Sequence, residues 1–215
     1  PSAGYRLADG TPVPGVTTIT NRFKDSGGII HWAWSQGKAD LDYRETKDAA
    51  ASAGTLVHLM VEAMLRGQGL PGELEKATPE VAAAAQQGFR SFLSWHETTG
   101  AQITVCETPM VSERHRFGGT PDAIFEIGGK RYIGDWKCAN GVYPEYLVQG
   151  TAYVHLWNET HPDAPVEDGL HLCRFSKNGG DFTHHFWQGV DNAWQMFLAL
   201  LQAYELDKQI KTRCK

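Results

Sequence analysis

Asp122, Asp135 and Lys137 are the residues whose types and spacing point most directly to chemistry. They lie in residues 119–137, GTPDAIFEIGGKRYIGDWK. Two runs rich in β-branched and aromatic residues flank Gly128-Gly129, a pattern that predicts a tight β-hairpin. Alternation along a strand puts Asp135 and Lys137 on one face and Trp136 on the other. Pairing about the turn sets residue 128−n opposite 129+n, so an unbulged hairpin brings Asp122 opposite Asp135. Two acids and a lysine then meet at one end of a hairpin.

A third ligand comes from upstream, where His58 and Glu62 share one face of a predicted helix. Two carboxylates and an imidazole suit a divalent cation, Mg²⁺ or Mn²⁺, the imidazole shifting preference towards Mn²⁺. Such a cation polarises a phosphoryl oxygen and acidifies bound water, as phosphodiester hydrolysis requires. Lys137 has two duties open to it. It can stabilise charge developing on phosphorus, or, with its pKa lowered, help deprotonate the attacking water. Glu107, inside a predicted strand, is as well placed on an exposed face as in an active site.

The elements that must position these groups follow from pattern. Leu56, Leu59, Met60, Ala63 and Met64 recur at helical spacing within residues 45–66, and Gly67 and Gly69 end the run. Thr78-Pro79-Glu80 starts a second helix, with Val81, Ala85, Phe89, Phe92 and Trp95 or His96 along one face until Gly100. Residues 102–111 form one strand, and SERHRFGG is a loop into the hairpin. A helix over residues 145–159 sets Gln149 and Tyr153 on one face. Strands at 170–175 and 182–187 flank the turn SKNGGD, and Asp191 caps a last helix with Trp194, Phe197, Leu198, Leu201 and Tyr204 as its apolar stripe. Residues 1–44 form a covering arm, in which residues 17–20 are a short strand or helix cap and 29–38 a short helix. Trp32 and Trp34 belong against the core rather than on bases. The whole is an α/β (α+β) domain over residues 1–215, with one mixed central sheet flanked by helices.

Composition narrows the classes. The 215-residue chain has ordinary hydrophobic content and no visible internal repeat. No apolar run approaches the ~18 residues of a membrane span, and no basic-then-apolar leader opens the chain. It begins at Pro1, so the natural start is missing or processed. Cys106, Cys138, Cys173 and Cys214 are widely spaced, which favours reduced thiols, a cytoplasmic setting and no metal–sulfur site. A net charge of −5 argues against broad charge-driven nucleic-acid binding. It leaves room for a local basic channel using Arg114, Arg116, Lys130, Arg131 and the C-terminal Lys208, Lys211, Arg213 and Lys215.

These pieces together resemble a known family. His58 in GTLVH with Glu62 behind it, Asp122 in GTPD, Asp135 and Lys137 in GDWK, and Gln149 and Tyr153 in QGTAY follow the order and spacing of the RecB-type nuclease domain. That branch of the PD-(D/E)XK superfamily also contains stand-alone phage exonucleases, and the opening VPGVTTIT resembles their front. The resemblance runs over about residues 13–154. It implies a restriction-endonuclease-like core. It makes His58, Asp122, Asp135 and the Trp136 carbonyl metal ligands and Lys137 the catalytic lysine. Gln149 and Tyr153 would hold a nucleic-acid strand and Glu107 would support the site; Glu62, behind His58, is a further supporting acid, and Arg116, in the basic stretch before the hairpin, is taken as a further DNA contact.

The implied activity is metal-dependent hydrolysis of DNA, at ends or on single strands, leaving 5′-phosphates. Its setting would be DNA replication, recombination or repair in a bacterial or phage-infected cell, alongside a recombination or replication protein. Polarity, strand preference, DNA versus RNA and oligomeric state stay open. Two departures from the family matter. The cysteine grouping that holds an iron–sulfur cluster in some relatives is missing, so no cluster is expected, and Cys138 stands where a small hydroxyl residue is common. A second class remains beside the enzyme: a DNA-end-binding or recombination scaffold without catalysis, against which the intact Asp122, Asp135 and Lys137 speak.

Overall fold

The computed structural model describes residues 4–24, 26–175 and 182–214. Seven helices among them are α1 (Val16–Arg22), α2 (Gly27–Lys38), α3 (Tyr43–Leu65), α4 (Glu73–Lys76), α5 (Pro79–Thr99), α6 (Pro144–Thr160) and α7 (Asp191–Arg213). The strands are β1 (Gln102–Cys106), β2 (Met110–Ser112), β3 (Phe117–Gly119), β4 (Ala123–Ile127), β5 (Lys130–Cys138), β6 (Leu170–Phe175) and β7 (Phe182–Trp187). Local chemistry explains several bounds. The Thr78 side chain accepts the Val81 N–H and Pro79 opens α5, which closes on Gly100 at φ 62°. The Asp42 side chain caps α3 by accepting the Arg44 N–H.

The main sheet is mixed, in the order β1-β4-β5-β6-β7, with only the β5–β6 pair parallel. Gly128 and Gly129 take φ 59° and 76°, the conformation a two-residue hairpin turn of this hand needs. The ladder runs from Ile127↔Lys130 to Ala123↔Gly134, the register expected from the turn. Asp122 stands just outside the last pair. β5 then outruns β4, and from Asp135 to Cys138 it pairs only with β6.

Helices cover both faces, as amphipathic elements on a sheet must. On one side α6, α7 and α1 pack Val148, Ala152, Leu156 and Phe197 onto Ile124, Ile133 and Leu170. On the other, α3 and α5 pack Met60, Phe92 and Trp95 onto Phe125, Trp136 and Phe175. Trp136 is gripped here edge-on by Phe92, with ring centroids 5.1 Å apart. Burying that indole fixes the strand on which Asp135 and Lys137 face the opposite way.

Several expectations are corrected. Residues 102–111 do not form one strand: the chain leaves the main sheet after Cys106, and Glu107 takes φ 46°. Pro109, which lacks an N–H, sits in the break before β2. β2 and β3 pair with each other as a separate two-stranded sheet beside the central mixed one, and the Phe117–Gly119 part of the predicted loop is a strand. Residues 17–20 lie in helix α1. Asp191 is the first helical residue of α7 rather than its cap, and faces the positive end of the helix dipole. α2 buries none of its residues, and Trp34 is 58% exposed, so the arm's tryptophans are not core residues. The turn predicted over residues 176–181 lies outside the described residues. Among the described residues no helix is long and apolar enough to cross a membrane.

Candidate active site

Where β4 begins and β5 runs past it, groups from four elements converge. Asp122 precedes β4, and its Oδ2 accepts the Trp136 N–H at 2.7 Å, a bond available because β5 has no β4 partner at that point. Its Oδ1 lies 3.6 Å from His58 Nδ1 on α3. Glu107 arrives through the positive-φ break after β1, where its N–H donates to the Asp122 carbonyl at 3.1 Å. Ligand atoms of His58, Glu107 and Asp122 all lie within 4.8 Å of one another. Glu62, one turn after His58, pairs with Arg66 at 2.6 Å.

The electrostatics mark this as a place short of positive charge. Burial raises the Glu107 carboxyl above its ordinary range, and Glu62 and Asp122 push it further, against the opposing pull of His58 and Arg66. Burial and the same acids raise the Cys106 thiol to about 11. A nitrogen and two carboxylates facing inward, with the acids already repelling, fit a small oxygen-preferring divalent cation.

Asp135 and Lys137 form the second half of the site. Both point to the α6 side, as alternation requires, and Lys137 Nζ donates to Asp135 Oδ1 at 2.7 Å while lying 2.6 Å from Oδ2. Asp135 is 1% exposed. Burial raises its carboxyl to about 6 against the pull of Lys137. For Lys137 burial acts to lower the pKa, but Asp135 and Asp122 outweigh it and hold the ammonium above its ordinary value. Lys137 is therefore held as an ammonium. Asp135 stands beside the His58–Glu107–Asp122 cluster, in which Glu107 was expected to play only a supporting part, and its Oδ2, buried next to the Lys137 ammonium, makes no hydrogen bond. A residue's N–H and C=O leave a strand on the same edge. The Trp136 carbonyl thus faces the same side as its N–H, which Asp122 accepts.

α6 closes the site. Gln149 Nε2 donates to the Tyr153 hydroxyl at 3.0 Å, and burial, with Asp135 nearby, keeps that phenol neutral. Tyr153 lies so close over Gly119 that a Cβ there would be 2.7 Å from its ring. One helical face thus carries Tyr146, Gln149 and Tyr153, and the Tyr146 ring centroid lies 5.6 Å from Lys137 Nζ.

The sequence assigned no role to Tyr146, although its spacing to Gln149 and Tyr153 shows the shared face. Tyr5, whose hydroxyl is 2.9 Å from Thr120 Oγ1, was invisible because it comes from the far end of the chain. Arg174 is the register neighbour of Lys137 on β6. It is buried and donates to the Ala139 carbonyl and Thr183 hydroxyl. Arg116 is placed elsewhere. It sits at φ 60° in the β2–β3 turn and lines a cavity of about 420 Å³ with residues 11–14 and α7. That cavity, and another of about 640 Å³ beside Trp187, lie away from the acid cluster, in which Glu107 is exposed and His58 and Asp122 are half-buried.

No protein-family model matches the sequence, and no curated protein matches it. Among solved structures the fold is similar to a candidate exonuclease from Eubacterium rectale, at 11% identity and a TM-score of 0.48, over 70% of this chain and 64% of that one. This chain therefore spans less than two thirds of that protein. The fold is also similar to an alkaline exonuclease from Laribacter hongkongensis, at 15% identity and a TM-score of 0.33, over 78% of this chain and 93% of that one. The structure of that exonuclease in complex with dAMP gives 13% identity and a TM-score of 0.35, over 78% of this chain and 92% of that one.

Proposed function

We propose that this chain is a divalent-metal-dependent deoxyribonuclease that hydrolyses phosphodiesters to leave 5′-phosphates, working at DNA ends or on single strands. The observation that carries the proposal is the pairing of an under-neutralised His58–Glu107–Asp122 cluster with the half-buried, charged Lys137 beside it. A Mg²⁺ or Mn²⁺ ion held by His58, Glu107 and Asp122, with the Trp136 carbonyl at hand, supplies Lewis acidity and a more acidic bound water. Lys137, kept protonated by Asp135 and Asp122, serves better as a donor to the charge developing on phosphorus than as a base. Asp135 positions Lys137 and completes the acidic wall. Gln149, fixed by Tyr153, presents polar groups from α6 along which a strand lies, and Tyr146 offers a ring for a nucleotide next to the reacting phosphate. The cellular setting consistent with this chemistry is replication, recombination or repair of bacterial or phage DNA.

The test is cleavage of end-labelled linear single- and double-stranded DNA in Mg²⁺, Mn²⁺ or EDTA, comparing the native chain with Asp122→Asn and Lys137→Ala. The expected result is metal-dependent product carrying 5′-phosphate, reduced at least about 100-fold in both variants. DNA retained equally in EDTA, with no product in either metal, would replace the enzyme by a DNA-end-binding scaffold.

A further inference from the structure

Helix α7 carries two apolar stripes, and among the described residues only one is used in the core. Trp194, Phe197, Leu198, Leu201 and Tyr204 pack into the core with α6. On the other side, Met196, Ala199, Ala203, Leu206 and Ile210 follow one another at intervals of three, four, three and four residues, the spacing of a helix-pairing seam. None of the five joins the core, and Met196, Leu206 and Ile210 are 51, 49 and 60% exposed. Gln195, Gln202 and Gln209 precede three of the seam positions, at every seventh residue. Uncharged amides thus flank one side of the seam where surface helices usually carry Lys or Glu; along the other side stand Leu200 and Asp207, the latter ion-paired with Arg22 and Lys211.

We infer that this face pairs with the same face of a second copy of the chain, the two α7 helices running antiparallel about a two-fold axis between Tyr204 and Glu205. Three features select that occupant. In this register Ala203 faces the partner copy's Leu206 position and Ala199 faces its Ile210 position, so each layer joins one small and one large side chain, as close packing requires. Gln202 comes beside the position of Gln209 in the other copy, and two amides can bond each other. A parallel pair would instead set Arg213 against its own counterpart in the seam, whereas the antiparallel pair sets its stem along Met196. The two-fold makes the contact isologous, so it closes at a dimer. The apolar part spans about 21 Å, from 1.5 Å per residue. It is smaller than a standard interface, so the dimer forms in a concentration-dependent equilibrium.

Sedimentation of the whole protein from about 1 to 200 μM tests this. The native chain is expected to shift from monomer towards dimer, and Ala203→Glu to raise the dissociation constant at least tenfold with its helical circular dichroism unchanged. Thr212→Glu, off the seam, is expected to leave the equilibrium alone. A native chain monomeric throughout, or an Ala203→Glu protein that still dimerises, overturns the proposal. Cys214, exposed at the end of α7, reports the direction. Antiparallel helices hold the two thiols about 28 Å apart, so efficient Cys214–Cys214 disulfide formation on mild oxidation would rule out the arrangement. DNA cleavage is read separately and decides nothing here.

Discussion

The two halves of the candidate site handle acidic groups in opposite ways. On the α6 side, Asp135 is almost wholly buried, and the chain supplies its counter-charge through Lys137 at 2.6 and 2.7 Å. On the α3 side, Glu107 is exposed and Asp122 half-buried, and among the described residues the one group facing both is the His58 imidazole. Removing one partner from a buried pair strands a charge, whereas removing an acid from a repelling cluster relieves it. The first half is therefore structural as well as chemical. The second leaves its carboxylates repelling one another.

Lys137→Ala is the most severe way to break this contrast. It leaves the Asp135 carboxylate buried without a partner, and the expected loss is about 3–5 kcal/mol of stability as well as activity. Asp135→Asn combined with Lys137→Ala should recover most of the stability and none of the activity. Urea unfolding of the three proteins gives the answer; equal stability in all would dissolve the distinction between the halves.

Next in size is the response to metal. Mn²⁺ at a hundred times its dissociation constant is expected to stabilise the native chain by about 2.7 kcal/mol. Glu107→Gln should lose most of that gain while matching or exceeding native stability in EDTA, since one repelling acid is gone. Thermal melts with and without Mn²⁺ measure both effects. A Glu107→Gln protein that is less stable in EDTA and binds Mn²⁺ normally would make Glu107 a structural residue.

The smallest effect is a background that any pH profile of the site must carry. His171 packs against Tyr132 and Phe186, with its Nδ1 2.9 Å from His184 Nε2. Burial, with His184 beside it, pushes its imidazole down to about 4. The folded state thus binds this proton less readily than the unfolded chain. Its contribution is complete above the ordinary histidine value near 6.5 and is lost as pH falls towards about 4, on the order of 2–3 kcal/mol in all. His171→Phe should flatten stability between those pH values, and an unchanged profile would remove His171 as its source.

Much of the site was legible before the fold. Gly128-Gly129 with β-type runs on either side dictated the hairpin and its register, and strand alternation dictated that Asp135 and Lys137 share a face. Helical spacing likewise joined Gln149 to Tyr153. The single strand drawn over residues 102–111 was the instructive error, because a continuous apolar alternation concealed the break at Glu107 that carries this acid to Asp122. Arg116, grouped with the site's cations by its nearness in sequence, is carried off by the β2–β3 turn.

What the sequence by itself determined is what depends on neighbours a few residues apart: which side chains share a strand face or helix face, and where caps and turns end each element. What only the tertiary structure decided is which acids share one small volume and which already have a cation. It set Tyr5 beside Thr120, Glu107 beside His58, and Asp135 apart from the cluster under Lys137. Those outcomes depend on strand ends, on β5 outrunning β4, and on packing between residues far apart in the chain. Periodicity carries no term for any of them.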